Sequence, residues 1–273
     1  MSRTPLPGFR LALGLTLAYL SVIVLLPLAS LVWQASGLGA ARFWTVITGD
    51  RALAAFRVTI LSALAATAIN GIVGLALAWA LARYEFPGKR LLDALVDVPF
   101  ALPTAVAGVA LTALFSANGW YGAWLAPYGI TIAYAPAGIA VAMAFTSLPF
   151  VVRSVQPVLE DLTDDVEEAA QTLGAGSARI FTSVVFPAIF PAFLAGLSLA
   201  FARSLGEFGA VIFIAGNQPF RTEIAALLVF IRLEEYDYPA AAAIATAMLA
   251  LAFVMLLVTN AIQLWHLRYT RAS

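Results

Sequence analysis

Residues 98–152, VPFALPTAVAGVALTALFSANGWYGAWLAPYGITIAYAPAGIAVAMAFTSLPFVV, contain no charged side chain. A helix needs about 20 apolar residues to cross the roughly 30 Å hydrocarbon core of a bilayer, so this stretch is too long for one crossing. Its middle part, from Asn118 to Pro136, is rich in Gly, Pro, Trp and Tyr, as expected of a short loop at the lipid–water interface. The stretch therefore predicts two transmembrane helices, over residues 98–116 and 136–152.

Four more apolar runs lie outside this stretch, at residues 11–33, 58–82, 191–214 and 239–265. The first run follows Arg3 and Arg10, as a signal peptide would, but signal peptides have apolar cores of only about 7–15 residues, which favours an uncleaved anchor. Hydrophobic residues make up 62% of the chain and charged residues 11%, against roughly 25% charged in soluble domains. We therefore expect an all-α integral membrane protein, with six transmembrane helices in one domain over residues 1–273.

The composition excludes several classes of function. A formal net charge of zero gives no indication of nucleic-acid binding, and the lack of cysteine excludes disulfides and thiolate metal sites. One histidine, His266, cannot form a metal cluster or a catalytic triad alone. Gly88-Lys89 lacks the upstream glycine of a phosphate-binding loop. We therefore expect a non-enzymatic chain without cofactor or metal.

The distribution of Lys and Arg predicts the orientation, because cytoplasmic segments carry an excess of both. The basic second loop and the uncharged third loop give the clearest contrast, and they place both termini in the cytoplasm. Cytoplasmic segments then hold Arg3, Arg10, Arg83, Lys89, Arg90, Arg153, Arg179, Arg268 and Arg271, and outer segments hold Arg42, Arg51, Arg57, Arg221 and Arg232.

An unusually polar segment, residues 153–187, separates the fourth and fifth predicted spans. Its residues 163–174, TDDVEEAAQTLG, predict a short helix, with Thr163 or Asp164 as the N-terminal cap and Gly174 at the C-terminal end. Ala169, Ala170 and Leu173 would give it a small apolar face. The residues alone leave two interpretations open: a solvated loop helix, or a helix that docks into a groove of a cytoplasmic partner.

The same segment resembles the EAA loop of ABC-importer permeases. Glu168-Ala169-Ala170, three residues, Gly174, nine residues and then VVFP at 184–187 are similar to the family pattern E-A-A, three positions, G, nine positions, I-x-L-P, with Val184 and Phe186 as conservative departures. The resemblance implies the type I (MetI-like) permease fold, and it implies that this loop inserts into a cleft of an ATP-hydrolysing subunit. The coupling residues would be Glu168, Ala169, Ala170, Gly174 and Pro187.

Other stretches resemble oxyanion permeases of that family. Residues 97–108 (DVPFALPTAVAG) and 203–210 (RSLGEFGA) are similar to the third and fifth spans of sulfate and molybdate permeases. Residues 83–88, 142–147, 211–217 and 235–241 are similar to the T-type subunit of sulfate/thiosulfate permeases. The resemblance implies a bacterial inner-membrane chain that works by alternating access with two ATP-binding cassette subunits, a second related permease and a periplasmic sulfate/thiosulfate-binding protein. A molybdate/tungstate permease, or an ion-coupled secondary transporter, is the alternative.

Arg203 and Glu207 are the only charges well inside a predicted span, and Arg203 would lie about 18 Å along the helix that starts at Pro191. Such charges should face the bundle interior or a water-filled cavity. They would either neutralise each other and fix the helices, or Arg203 would line the pathway of a dianion. Ser204 is a further candidate pathway residue, since its hydroxyl could donate to an oxyanion. Thr104 and Ser147 share that chemistry, and Gly206 and Gly209 are expected to serve packing. The docking surface for the binding protein would hold Arg42, Asp50, Arg51, Arg221, Glu223, Arg232, Glu234, Glu235 and Asp237.

Overall fold

A computed structural model describes residues 8–270, except for the side chains of residues 164 and 263–270. Arg3 and Arg271, which contribute to the predicted orientation, lie outside the described residues, as do the side chains of His266 and Arg268. Within the described part the chain is helical and contains no strand. In chain order the helices are α1 (Phe9–Ser36), α2 (Gly39–Ile47), α3 (Asp50–Arg83), α4 (Lys89–Ala101), α5 (Thr104–Phe115), α6 (Trp120–Leu125), α7 (Pro136–Asp161), α8 (Asp164–Thr172), α9 (Ser177–Leu205), α10 (Val211–Ile214), α11 (Ala225–Glu234) and α12 (Tyr238–Thr270).

Five of the described helices, α1, α3, α7, α9 and α12, are each long and apolar enough to cross a membrane. A sixth crossing requires the bent pair formed by α4 and the segment from Thr104 to Tyr128, whose axes differ by 114°. The bend follows from Pro103, because the residue before a proline is driven out of the helical region. Leu102 accordingly has extended backbone angles, φ −78° and ψ 132°. The structure thus has two helices where the sequence predicts one over residues 98–116.

The fifth crossing also has different ends from the predicted range 191–214. Helix α9 begins at Ser177, inside the polar segment, and ends at Leu205. Residues 206–210 leave the helical path before the short helix α10 begins. Arg203 consequently lies in the last turn of α9 rather than in the middle of a continuous helix.

The core consists of α7 packed between α3 and α9, and small side chains line these contacts. Ala63, Ala66 and Ala142 are fully buried in one cluster, and Ala78 and Ala200 are fully buried in a second. Small residues let transmembrane helices approach closely, and this close packing replaces the hydrophobic effect that lipid removes. The core therefore holds α3 and α9 in fixed positions relative to the polar segment that connects α7 to α9.

Helix α1 differs from the core helices because its most apolar window is not buried against the chain at all. Leu11 is 72% exposed and Trp33 is 80% exposed. A helix that is apolar on all sides and exposed in this way requires a lipid surface or another protein around it.

Candidate functional site

Helix α8 lies between two membrane-crossing helices and is the helix that the polar segment predicts. It begins at Asp164, so Thr163 occupies the capping position, with extended angles of φ −72° and ψ 143°. The Thr163 side chain makes no capping hydrogen bond, so the expected cap at this residue is wrong. The Asp164 side chain lies outside the described residues.

The C-terminal end of α8 is closed by a Schellman motif. The Ala175 N–H donates to the Ala170 carbonyl at 3.1 Å, and the Gly174 N–H donates to the Gln171 carbonyl at 2.9 Å. This pair of bonds requires a left-handed residue after the helix, and Gly174 has φ +83°. Ala170 and Ala175 also pack on the same buried cluster, as the motif favours. The glycine of the motif thus sets the direction in which the chain leaves α8.

One ion pair attaches α8 to the end of α3. An Nη2 atom of Arg83 bonds to Oε1 of Glu167, and both side chains are largely buried. The Arg83 guanidinium also lies 5.8 Å from the centroid of the Trp79 ring, within the range of a cation–π contact. The sequence identified Arg83 only as a cytoplasmic positive charge. Its partnership with Glu167 joins two segments 84 residues apart, and no local pattern reveals it.

Four of the five expected coupling residues are exposed, two of them on α8 and two after it. Glu168, Ala169, Gly174 and Pro187 are exposed, whereas Ala170 is half-buried against the chain's own core. Two larger apolar side chains beside them are also exposed, Val166 at 51% and Leu173 at 89%. The helix therefore presents an apolar surface with a carboxylate on it, and this surface is unoccupied within the described chain.

Arg153 connects α4 to α7 beside this region. Its Nε and Nη2 atoms donate to the two carboxylate oxygens of Asp97 at 2.9 and 2.7 Å, and Nη1 donates to Asp93 Oδ1 at 2.6 Å. Nη2 also donates to the backbone carbonyl of Asp93 at 2.8 Å. Paired bonds of this kind fix orientation as well as distance. Arg153 therefore holds the charged helix α4 against α7.

Arg203 and Glu207 form an ion pair, with 2.7 Å between Arg203 Nη1 and Glu207 Oε2. Glu207 is 1% exposed, and its other oxygen accepts the N–H of Ala210 at 2.9 Å. Arg203 remains 32% exposed. The pair therefore stabilises the turn after α9 and leaves part of the guanidinium exposed.

Ser204, the third candidate pathway residue, is fully buried in this conformation. Its hydroxyl donates to Ser147 Oγ at 3.1 Å, Ser147 donates to the Met143 carbonyl at 2.6 Å, and Asn70 Nδ2 donates to Ser147 Oγ at 2.8 Å. The network joins α3, α7 and α9. Buried polar groups of this kind are costly when a partner is lost, so the network fixes the relative positions of the three core helices.

The two glycines that follow Ser204 differ in their surroundings. A Cβ at Gly209 would lie 2.1 Å from Thr104 Oγ1, whereas a Cβ at Gly206 would meet nothing within 4 Å. The expected packing role thus fits Gly209, which brings the turn after α9 against the start of α5.

At the end of α3 opposite to Arg83, a second buried carboxylate is paired with an arginine. Arg51 Nε and Nη2 donate to the two oxygens of Glu223 at 2.8 and 2.7 Å, and Glu223 is 1% exposed. Nearby, Thr59 Oγ1 accepts the N–H of Ala225 at 2.8 Å. Among the described residues no group of three or more His, Cys, Asp or Glu side chains is placed to hold a metal ion.

Comparison of the sequence with known proteins gives one family over most of its length. Residues 71–271 match the family described as binding-protein-dependent transport system inner membrane component. The chain is 56% identical over 262 residues to the sulfate transport system permease protein CysT of Escherichia coli (strain K12), covering 96% of this chain and 95% of that protein. It is 48% identical over 254 residues to the protein of the same name from Synechocystis sp. (strain PCC 6803), covering 93% and 89%.

Solved structures show the same fold at low sequence identity. A bacterial ABC transporter involved in the import of the acidic polysaccharide alginate matches with a TM-score of 0.76 at 16% identity, covering 94% of this chain and 95% of that one. An inward-facing form of the MetNI methionine ABC transporter matches with a TM-score of 0.61 at 15% identity, covering 84% and 99%. These similarities concern the fold alone.

Proposed function

Because the chain belongs to the binding-protein-dependent transport system inner membrane component family and crosses the membrane several times, we propose that it forms part of the pathway of an ATP-driven sulfate and thiosulfate importer. Its CysT relatives, named for sulfate transport, support the substrate class. The expected type I ABC importer permease fold is confirmed. Family membership does not favour the ion-coupled secondary transporter.

The observation that carries the proposal is the exposed and firmly held helix α8. Its outer face presents Glu168, Ala169 and Leu173 to the surroundings. Its inner face is attached to α3 by Arg83 and Glu167, and α9 follows directly from it. An ATPase subunit that receives α8 in a groove would move α3 and α9 together when it closes on ATP. The resulting tilt of the core helices would open the pathway alternately to each side.

The remaining partners follow from the same arrangement. Two ATP-binding cassette subunits would bind α8 and its counterpart on a second, related permease subunit. A periplasmic sulfate/thiosulfate-binding protein would dock at the other end of α3, where Arg51 and Glu223 lie. In this proposal both termini of the chain lie in the cytoplasm. One solved structure shows a bacterial alginate ABC transporter in complex with a periplasmic protein that is bound to an alginate pentasaccharide. We extend that mode of assembly to this chain.

Arg203, Glu207 and Ser204 have separate roles in the proposed pathway. The open part of the Arg203 guanidinium would attract the dianion, and Glu207 would offset enough of the charge to permit its release. Ser204 would act through the buried network with Ser147. Replacing Arg203 by Ala leaves the buried Glu207 carboxylate without its arginine, so sulfate uptake is measured per assembled complex, and it should fall. Normal uptake by the assembled Arg203→Ala complex would contradict a role in the pathway.

The coupling role is tested in proteoliposomes that contain the complete transporter, with sulfate-loaded binding protein and ATP. Glu168→Ala should lower sulfate uptake per ATP hydrolysed, or release the ATPase from the membrane subunits. Gln171→Ala, on the same helix at one of the three unspecified positions of the motif, is the matched control. Unchanged uptake and assembly in Glu168→Ala would contradict docking at α8. Competition of labelled sulfate by thiosulfate and by molybdate decides between the sulfate and molybdate classes.

A further inference from the structure

Two arginines close to the outer end of α3 lack acidic partners within the described residues. Glu223 bonds to Arg51, and Glu235 bonds to Arg232 at 2.8 Å. Arg57, on the second turn of α3, and Arg221, in the loop after α10, are both exposed and form no ion pair in the described chain. Glu223 and Glu235 are thus paired with other arginines, and Arg57 and Arg221 remain without an ion pair in the described chain.

Both of these arginines line one cavity of about 460 Å³. No acidic residue lines it. The lining residues are Leu53, Ala54, Arg57, Val58, Leu61, Ser62, Pro136, Phe220 and Arg221. The cavity therefore combines two guanidinium groups and one hydroxyl with apolar walls.

Ser62 is the hydroxyl in this cavity, and it differs from the other hydroxyl residues of α3. Thr59 and Thr67 each donate to the carbonyl four residues earlier, both at 2.7 Å. The Ser62 hydroxyl makes no hydrogen bond to another described residue, although the residue is only 6% exposed. Ser62 lies five positions after Arg57, about 7.5 Å further along the helix axis. An unpaired donor thus lies inward of the two charges.

Arg221 is held in place by the loop that carries it. The Gln218 carbonyl accepts the N–H groups of Arg221, Thr222 and Glu223 at 3.1, 2.9 and 3.1 Å, and Thr222 Oγ1 accepts the N–H of Gln218 at 2.9 Å. Arg57 lies on a continuous helix. The backbone positions of both arginines are therefore fixed, one by the helix and the other by the loop. A preorganised site of this kind spends little conformational entropy when an anion enters.

We infer that this cavity receives the transported divalent oxyanion as it enters from the outer side. A tetrahedral dianion has only acceptor oxygens, and each polar side chain that lines the cavity, Arg57, Ser62 and Arg221, can donate a hydrogen bond. Guanidinium groups match such oxygens with paired hydrogen bonds, and two of them balance a charge of −2. The cavity also lies at the end of α3 opposite to Arg83 and α8. The identity of the anion as sulfate, and the assignment of this end as the outer one, rest on the proposed function.

The absence of cysteine from the natural sequence allows a direct test of the cavity's charge. In the assembled transporter, Ser62→Cys is labelled with an anionic and with a cationic methanethiosulfonate reagent, and modification is measured on this chain after electrophoresis. The anionic reagent should react faster, and adding Arg57→Gln should lower the anionic-to-cationic rate ratio on the order of tenfold. Arg42→Gln, an exposed outer arginine that does not line the cavity, is the control and should leave the ratio unchanged. An unchanged ratio in Arg57→Gln would overturn the inference.

Protection and transport separate an anion site from a protein-docking surface. Sulfate should slow the labelling of Ser62→Cys, whereas chloride at equal ionic strength should not. In proteoliposomes, Arg57→Gln with Arg221→Gln should lower the maximal uptake rate at least tenfold, at an unchanged half-saturating concentration of loaded binding protein. A raised half-saturating concentration with a normal maximal rate would overturn the inference, because the arginines would then bind carboxylates of the binding protein. Protection by molybdate but not by sulfate would support the anion cavity while contradicting the proposed substrate.

Discussion

Replacing Gly174 by alanine changes the backbone at the end of helix α8 without introducing a clash. Gly174 has φ +83°, and a Cβ added there would meet no atom of the described chain within 4 Å. The two hydrogen bonds of the Schellman motif depend on this left-handed geometry. The substitution therefore tests whether the direction in which the chain leaves α8 is needed for transport.

The magnitude follows from the conformation. A side chain in the left-handed region costs roughly 1–2 kcal/mol relative to glycine. Every 1.4 kcal/mol is a factor of about ten in an equilibrium, so the Schellman geometry should become roughly 5- to 30-fold less favourable relative to alternatives. Because α9 follows only a few residues later, the loss should appear in coupling rather than in folding of the bundle.

Two further variants isolate the backbone effect. Gly176 lies two residues on, has φ −74°, and also leaves open space for a Cβ, so Gly176→Ala is the matched control. Gly174→Asn places a larger residue that tolerates the left-handed region. The assay measures sulfate uptake and ATP hydrolysis in proteoliposomes with loaded binding protein. Uptake per ATP should fall severalfold in Gly174→Ala, remain normal in Gly176→Ala, and recover partly in Gly174→Asn.

The ranking of the three variants decides the outcome. If Gly174→Asn is more defective than Gly174→Ala, the size of the side chain against the ATPase matters and the backbone argument is refuted. Equal defects in Gly174→Ala and Gly176→Ala would also refute the backbone argument, because of these two glycines only Gly174 has a positive φ.

Three other substitutions test the packing of the bundle. Arg51→Ala leaves the carboxylate of Glu223 buried and unpaired, and should lower stability by about 3–5 kcal/mol; thermal unfolding in detergent that matches wild type would contradict this. Gly108→Val places a Cβ 2.5 Å from the carbonyl oxygen of Ala210, which is a clash. The substitution should therefore prevent the turn after α9 from packing on α5. Gly14→Val, where a Cβ meets nothing within 4 Å, is its control, and equal yields of assembled transporter would refute the contact. Arg153→Ala should lower the unfolding temperature by a few degrees, since Asp93 and Asp97 are half-exposed and such pairs contribute about 1 kcal/mol. Protease resistance of α4 that is retained in this variant would argue against an anchoring role of Arg153.

Local patterns of the sequence predicted the helical class and the position of α8. Uncharged runs identified the long helices because the hydrocarbon core excludes charge over a fixed thickness. The spacing from Glu168 to Pro187 resembles that of the coupling segment in ABC-importer permeases, and the coupling role of these residues stays a prediction. Pro103 lies where one predicted span divides into α4 and α5, and the 114° angle between their axes is a feature of the structure alone.

Partners of charged residues could not be predicted in the same way. Arg203 and Glu207 lie one helical turn apart, so their pairing was foreseeable. Arg83 and Glu167 are 84 residues apart, and Arg51 and Glu223 are 172 apart. Such pairs depend on which helices become neighbours, and that is a property of packing that no local pattern contains.

The sequence by itself determined that this chain crosses a membrane and that a polar segment with a short helix lies between two of the crossings. Both follow from composition and short-range spacing, which act through the thickness of the bilayer and the period of a helix. The coupling of that helix to an ATPase is implied by the family resemblance and stays a prediction. Only the tertiary structure decided that Ser204 is buried on Ser147, that Arg83 attaches α8 to α3, and that Arg57 and Arg221 share a cavity without an acid. The physical reason is that the charge balance of a site is set by all the side chains that packing brings to it, and those come from distant parts of the chain.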